Sequence, residues 1–234
     1  MKQSLRKLLS PAPLVHAYLR KATRKRIFSG PFQGMYYVSE SVGSSYFPKL
    51  LGTYEKELQP ILEAHKQVRY DKLIVIGAGE GYYAVGFAKK WKRPVLAYEQ
   101  DPKGRELITR LALINKTSVF VKDLFEEGTD TQSAKDFILM DVEGAEKQLL
   151  TPERFLEWKS SVVVVEVHSE PIKGLLMERG KYTHVNTFVP VVPRTMRDFP
   201  FKPPFPWLLH RWWWACLQEW RSDSIGWVIF EPRP

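Results

Sequence analysis

Residues 73–81 read LIVIGAGEG, and this stretch determines the fold that we predict for the chain. The four aliphatic residues indicate a short buried strand, and residues 82–91 continue with the spacing of a helix. Glycines at positions 77, 79 and 81 allow a sharp turn between the two elements and let a ligand approach the backbone closely. The free amide groups at the start of the helix can donate hydrogen bonds to that ligand.

Short apolar strands and helical segments alternate from this stretch to the end of the chain. The predicted strands span residues 73–76, 94–99, 119–121, 137–141, 162–167, 183–189 and 227–230. The predicted helices between them span residues 82–91, 103–114, 145–158 and 172–179. This alternation predicts an α/β fold with a doubly wound, mostly parallel sheet of seven strands, resembling the Rossmann fold.

Two segments lie outside the alternation. Residues 1–70 are predicted to form a basic arm and a helical or lid segment, ahead of a ligand-binding domain over residues 71–234. Residues 190–206 contain six prolines, which exclude regular structure, and a helix is predicted for residues 207–221. This Pro/Trp-rich insertion separates the last two predicted strands.

Five of the eight tryptophans lie in this insertion. We expect Trp212 and Trp220 to pack against the sheet, as the spacing of an amphipathic helix indicates. An exposed ring among Trp207, Trp213 and Trp214 could instead stack on a sugar or lie in a membrane interface.

The net charge of +9 is concentrated at the N-terminus. Residues 1–39 contain eight basic residues and no acidic one, whereas the rest of the chain has 27 basic residues against 26 acidic ones. The arm is predicted to contact an anionic membrane, with RNA, an acidic partner, a transit peptide and a solvated extension as alternatives. A basic groove across the whole fold is not indicated, so nucleic acid is the less favoured partner.

Composition also bears on where the protein is found. Cys216 is the single cysteine, so the chain forms no internal disulfide and suits a reducing compartment. The sequence contains no run of about 18 uncharged apolar residues, so no transmembrane helix is predicted. We therefore expect a cytoplasmic protein, with peripheral membrane contact through the basic arm.

The spacing of the glycines distinguishes between classes of cofactor. Dinucleotide-binding turns have a third glycine where this chain has Tyr82, and a P-loop would end in Gly-Lys-Ser/Thr. The observed spacing suits the turn that binds S-adenosylmethionine. We expect the cofactor to contact Gly77, Ala78, Gly79, Glu80, Gly81 and Tyr82.

Polar residues at the ends of the next strands extend this predicted site. Glu99 ends the second predicted strand, where a carboxylate can accept hydrogen bonds from both ribose hydroxyls. Gln100 lies on the same edge of the sheet. Asp123 follows the third strand, and it either binds the adenine amino group or is a solvated loop acid.

Two further motifs lie at the ends of the fourth and fifth strands. Residues 140–146 read MDVEGAE, and residues 165–168 read VEVH. Together with the glycine turn, they resemble the FkbM family of methyltransferases over about residues 71–170. The resemblance implies the class I methyltransferase fold, S-adenosylmethionine as methyl donor, and a hydroxyl acceptor on a sugar, glycan or other small molecule. Most class I enzymes have an acid where this chain has Val75, two positions before the first glycine.

The strand ends also place three candidate catalytic residues at one crevice, where ligands of open α/β sheets bind. A histidine side chain has an ordinary pKa near neutral pH, so His168 could act as a base that removes the proton of an acceptor hydroxyl. Alternatively, its ring could simply be hydrogen-bonded to the backbone at the end of the strand. Asp141 could orient His168, bind the acceptor or contact the cofactor, and Glu143 is a second carboxylate nearby. Asp141, Glu166 and His168 could instead bind a divalent cation. We predict no metal, because Glu166 and His168 share one face of the fifth strand while Asp141 comes from another strand.

A polar and aromatic segment, Gly43–Leu58, precedes the first strand and contains Lys49, Tyr54 and Glu55. It either covers the cofactor as a lid or begins an ordinary helix that Thr53 caps.

These observations predict an S-adenosylmethionine-dependent methyltransferase that acts on a hydroxyl group. Methylation of RNA or protein, with the basic arm holding the substrate, is the alternative. The adenine N-methylation motif Asn/Asp-Pro-Pro-Tyr/Phe is replaced by Asp-Val-Glu-Gly after the fourth strand, which disfavours a nucleic-acid substrate. An inactive binding module with a methyltransferase fold is the third hypothesis, which Val75 slightly favours.

Overall fold

Alternate residues of the strands face opposite sides of one sheet, and both sides are covered, so the strands are apolar along most of their length. The computed structural model describes residues 10–41, 44–126, 135–221 and 226–234. Its strands are β1 Leu73–Ile76, β2 Val95–Tyr98, β3 Val119–Lys122, β4 Phe137–Met140, β5 Val162–Val167, β6 His184–Pro190 and β7 Gly226–Pro232. All seven predicted strands are confirmed, with small differences at their ends.

The strand order explains where a ligand can bind. The order across the sheet is β3-β2-β1-β4-β5-β7-β6. Strands β1 to β5 run parallel, and β7 runs antiparallel to both β5 and β6. The chain proceeds outward in one direction from β1 and in the other from β4, so the carboxyl ends of these two strands flank a crevice. The predicted doubly wound, mostly parallel sheet is confirmed.

Helices cover both faces of this sheet. They are α1 Ala12–Ala22, α2 Tyr46–Leu51, α3 Gln59–His65, α4 Tyr82–Lys90, α5 Pro102–Asn115, α6 Glu146–Leu149, α7 Pro152–Glu157, α8 Glu170–Gly180 and α9 Pro206–Ala215, with a 3-10 helix at Met196–Asp198. One face of the sheet buries Val75 and Val164 against α3, α4 and α5. The opposite face buries Ile76 and Val165 against α6, α7 and α8.

The single helix predicted for residues 145–158 is two helices in the structure. Pro152 has no amide hydrogen, so it cannot continue a helix from the preceding turn and instead occupies the first position of α7. The Thr151 hydroxyl caps α7 by accepting a hydrogen bond from the Arg154 amide at 3.2 Å.

The helix predicted for residues 207–221 is shorter than expected and ends at Ala215. The backbone then turns, and Trp220 adopts a left-handed φ of 59°. Trp220 is 73% exposed, so the prediction that it packs against the sheet is wrong. Trp213 is buried instead, and its Nε1 donates a hydrogen bond to the Pro204 carbonyl at 3.1 Å.

The chain before β1 shares its core with the sheet. Ile27 and Leu50 lie in one apolar cluster with Val75, and α1 packs on the insertion through Val15 and Trp213. Because this core is shared, the domain boundary at residue 70 stays a prediction that rests on the order of segments along the chain.

Residues 1–9 of the basic arm, and Gly43 at the start of the predicted lid segment, lie outside the described residues. In the described part of the arm, Arg20, Lys21 and Arg24 are exposed. Among the helices that the structure describes, none is both long enough and apolar enough to cross a bilayer.

Candidate active site

A cavity of about 660 Å³ lies at the crevice between the carboxyl ends of β1 and β4. The strand register places Ile76 level with both Tyr98 and Met140, so the residues that follow these three strands meet there. The predicted site residues that line this cavity are Gly77, Ala78, Gly79, Tyr82, Glu99, Gln100, Asp123, Asp141, Glu143 and His168.

Glu80 and Gly81 do not line the cavity, although both were predicted to contact the cofactor. The Glu80 side chain is fully buried, where its Oε1 accepts hydrogen bonds from Lys49 Nζ at 2.5 Å and from the Tyr37 hydroxyl. A Cβ added at Gly81 would lie within 3.3 Å of Ile108. Glu80 therefore attaches the glycine turn to Lys49 of the lid segment, and Gly81 allows Ile108 of α5 to pack closely against the turn.

Glu99 supports the glycine turn from the end of β2. Its Oε2 accepts a hydrogen bond from the Gly79 amide at 2.6 Å, and its Oε1 accepts one from the Asp101 amide at 2.8 Å. A carboxylate has about four acceptor sites, so Glu99 can also accept hydrogen bonds from ribose hydroxyls. The predicted cofactor residue thus has a structural role in addition to its place in the cavity wall.

An apolar wall lies next to Glu99 on the cavity surface. It contains Tyr98, Leu124 and Phe125, and the Tyr98 and Phe125 rings meet edge to face with their centroids 5.0 Å apart. Asp123 is exposed at the rim of this wall, where both of its predicted roles remain open. Aromatic and aliphatic side chains of this kind suit the flat face of a nucleobase.

The lid segment contributes Ser44, Ser45, Lys49 and Tyr54 to the cavity wall. Thr53 does not cap the following helix, since its hydroxyl bonds back to the Pro48 carbonyl at 3.5 Å. The alternative of an ordinary helix start capped by Thr53 is therefore wrong.

An acidic cluster with one histidine occupies the ends of β4 and β5. His168 Nδ1 lies 2.7 Å from Oε1 of the buried Glu146. His168 Nε2 lies 3.7 Å from Asp141 Oδ1 and 3.5 Å from Glu143 Oε2. Glu146 begins α6, and its contact with His168 was not predicted from the sequence.

The carboxylates around His168 favour its protonated form. The hydrogen bond to Glu146, together with the charges of Glu166 and Asp141, raises the pKa of His168 to about 9 although burial opposes this. Burial raises the pKa of Asp141 to about 6 and that of Glu166 to about 8. A ring that is protonated at neutral pH cannot accept a proton. The predicted role of His168 as a general base, which assumed its ordinary pKa, is therefore not supported by this arrangement.

Two buried arginines connect the lid segment, the insertion and β5. Arg221 Nη1 lies 2.9 Å from Glu57 Oε1, and its Nη2 contacts Glu166. Arg194 Nη2 lies 2.6 Å from Glu57 and 2.9 Å from Glu219. All five side chains are at most 9% exposed, so each charge depends on its partners for stabilisation.

Sequence reasoning missed Glu219, Trp220 and Arg221, although all three line the cavity. Arg221 and Glu57 are 164 residues apart in the chain, so no local spacing indicates that they pair. The available signal was the position of these residues, just after the tryptophan-rich helix in an insertion between two strands.

Several solved structures with this architecture are methyltransferases. A methyltransferase from Pyrococcus furiosus has a TM-score of 0.55 and 13% identity, covering 96% of this chain and 100% of that one. A precorrin-6y C5,15-methyltransferase from Geobacter metallireducens has a TM-score of 0.51 and 14% identity, over 75% of this chain and 89% of that one. The METTL16 methyltransferase domain has a TM-score of 0.52 and 12% identity, over 80% of this chain and 68% of that one.

No protein-family model matches the chain, and a search of curated proteins finds no match. Membership of the FkbM family therefore stays a hypothesis. At 12–14% identity, similarity to the solved structures is evidence of fold only. The chain has the class I methyltransferase fold.

Proposed function

We propose that this protein is an S-adenosylmethionine-dependent methyltransferase of the FkbM type, which methylates a hydroxyl group on a sugar, glycan or other small molecule. One observation carries the proposal. A single cavity joins the glycine turn and Glu99 to the cluster of Asp141, Glu143 and His168. The first group suits a nucleoside cofactor, and the second suits a polar acceptor beside it.

The cavity residues fit S-adenosylmethionine. One buried polar atom in its wall, the Tyr82 hydroxyl oxygen, has no hydrogen-bond partner among the described residues. Most class I enzymes have an acid at the position equivalent to residue 75, near the methionine end of the cofactor. Val75 is buried in the core here and offers no polar contact, so other residues must bind that end. Lys49 uses two ammonium hydrogens on Ser44 and Glu80, which leaves the third for a carboxylate. When bound, S-adenosylmethionine supplies an electrophilic methyl group on its sulfonium.

The protein's own contribution is to hold the acceptor and to exclude water. Asp141 and Glu143 can accept a hydrogen bond from the acceptor hydroxyl and so orient its oxygen. The Trp220 ring is largely exposed yet lines the cavity, and it lies edge to face with Trp214 at 6.1 Å between centroids. An exposed ring at the entrance of a polar cavity can stack on the face of a sugar ring. This ring supports a cyclic hydroxyl compound as the acceptor.

The cofactor assignment predicts tight binding of S-adenosylhomocysteine and none of NAD. Glu99→Ala is expected to weaken binding by about 1–3 kcal/mol, because charge-assisted hydrogen bonds are lost. Isothermal titration calorimetry measures this directly, and Glu106→Ala, an exposed acid on α5, is the matched control. Binding of NAD without S-adenosylhomocysteine would overturn the assignment, and binding of neither would favour an inactive module.

The exposed surface of α1 and α9 supports peripheral contact with an anionic membrane. Leu14, Trp207 and Leu208 are each more than 60% exposed, and the two helices pack together beneath them. Arg20 and Lys21 are exposed on α1, the helix that also carries Leu14, and they give this helix positive charge. Apolar side chains combined with basic ones favour insertion into the headgroup region of an anionic bilayer.

Replacing Trp207 and Leu208 together by serine is expected to reduce binding to phosphatidylglycerol vesicles at least fivefold in a sedimentation assay, because the apolar contact is lost. Leu113→Ser is the control, since Leu113 is equally exposed but belongs to a different helix, α5. Wild-type protein that binds RNA but not these vesicles would identify the arm as a nucleic-acid contact instead.

A further inference from the structure

Three side chains that could bind a metal lie close together at the ends of β4 and β5. Atoms of Asp141, Glu143 and His168 that can bind a metal all lie within 4.8 Å of one another. The separations of His168 Nε2 from the two carboxylates, 3.7 and 3.5 Å, are too long for hydrogen bonds. They fall within the roughly 3–4 Å that separates two ligands of one ion at bond lengths of about 2.1 Å.

The imidazole is oriented as in a metal site. Oε1 of the buried Glu146 accepts a hydrogen bond from His168 Nδ1 at 2.7 Å and from the Gly144 amide at 3.0 Å. A carboxylate that takes the proton on one ring nitrogen fixes the tautomer and directs the other nitrogen outward. Here the other nitrogen, Nε2, faces Asp141 and Glu143, and a divalent cation bound there would replace the proton that Nε2 carries in the metal-free protein.

Two further features of the cluster are explained by a bound cation. Asp141 Oδ1 is inaccessible to water and has no hydrogen-bond partner among the described residues, which is costly for a carboxylate oxygen. Glu143 has a left-handed φ of 50°, a conformation that is unfavourable for a non-glycine residue. This backbone conformation places the Glu143 carboxylate beside His168, and strain of this kind persists where function requires it.

We propose that Asp141, Glu143 and His168 bind a divalent cation, such as Mn²⁺, on the acceptor side of the cavity. Two carboxylates and one imidazole suit Mn²⁺, which accepts both oxygen and nitrogen ligands. Three protein ligands leave coordination positions open toward the cavity, where a hydroxyl oxygen of the acceptor can bind. This proposal rests on the methyltransferase function only for the identity of that acceptor, and it departs from the metal-free site expected from the sequence.

The test is a titration of chelator-treated full-length protein with Mn²⁺. Binding is measured as the loss of the electron paramagnetic resonance signal of the free ion. We expect one ion per chain. Glu143→Gln and His168→Ala should each weaken binding more than tenfold, and Glu146→Gln should weaken it about 10- to 100-fold by releasing the ring. Glu178→Gln, an exposed acid on α8, is the control and should bind as the wild type does.

The outcomes separate the metal from the methyltransferase function. Failure to bind Mn²⁺, or binding that none of the three variants weakens, would overturn the metal site even if calorimetry detects S-adenosylhomocysteine. Specific Mn²⁺ binding without S-adenosylhomocysteine would keep the metal site and refute the proposed function. Glu143 is 77% exposed, so Glu143→Gln should remain folded even if His168→Ala does not.

Discussion

Arg221→Met is expected to lower the free energy of unfolding by about 3–5 kcal/mol, because it leaves buried carboxylates without their counter-charge. Glu57 and Glu166 contact the guanidinium directly, and Glu55 and Glu219 lie 3.8 and 3.7 Å from it. Methionine retains much of the side-chain volume, so the loss reports mainly on charge. Urea denaturation gives the difference.

Arg197→Met is the matched control in the same insertion, since Arg197 is exposed. Its effect should stay within about 0.5 kcal/mol. Equal destabilisation by the two variants would contradict the importance of the buried network.

The stability lost in the Arg221 variant should also grow with pH. Burial raises the pKa of Glu55 to about 8 in the folded protein, above its ordinary value, so the folded state retains a proton that the unfolded state releases. Stability from this group is therefore present at low pH and is lost as pH rises toward 8. Removing the nearby arginine raises this pKa further, so unfolding curves at about pH 6 and pH 8 should diverge more for the variant than for the wild type.

Gly77→Ala is expected to reduce affinity for S-adenosylhomocysteine at least a hundredfold and to destabilise the fold by about 2–5 kcal/mol. A Cβ at this position would lie 1.6 Å from the Asp141 carbonyl oxygen, and φ of 77° is unfavourable for alanine. The added methyl group must push the end of β4 away from the turn, and this movement distorts both halves of the cavity. Calorimetry and thermal melting measure the two effects.

Gly34→Ala separates backbone strain from the steric clash. Gly34 has a similar φ of 82°, but no atom lies within 4 Å of the Cβ it would gain. We expect a loss of about 1–2 kcal/mol in stability and unchanged ligand affinity. A Gly77 variant that behaves like the Gly34 variant would show that the close approach of β4 is unimportant.

The sequence predicted the sheet well because its signals are local. The aliphatic residues before Gly77 and the valines of β5 indicate buried strands without reference to any other part of the chain. The positions of Glu99 and Asp141 followed from a general property of parallel sheets, whose carboxyl ends meet at one edge. Pro152 is a further local signal, since this residue alone indicates the break between α6 and α7.

The charge state of His168 could not be read from the sequence. Its pKa depends on Glu146, which lies 22 residues earlier and reaches the ring only when β4 and β5 are paired. The contact of Arg221 with Glu57 likewise exists only because the insertion folds back over the lid segment. Spacing along the chain carries no information about such contacts, whereas it does carry information about helices and strands.

The antiparallel direction of β7 affects how the insertion between β6 and β7, which forms part of the cavity wall, is attached to the sheet. Pro190 at the end of β6 pairs with Gly226 at the start of β7, so the chain leaves the sheet and returns to it at the same point. A loop anchored in this way can change in length and composition while every strand keeps its register. Substitutions in this one loop therefore change the cavity wall at Glu219 and Trp220 while the glycine turn and Glu99 keep their places.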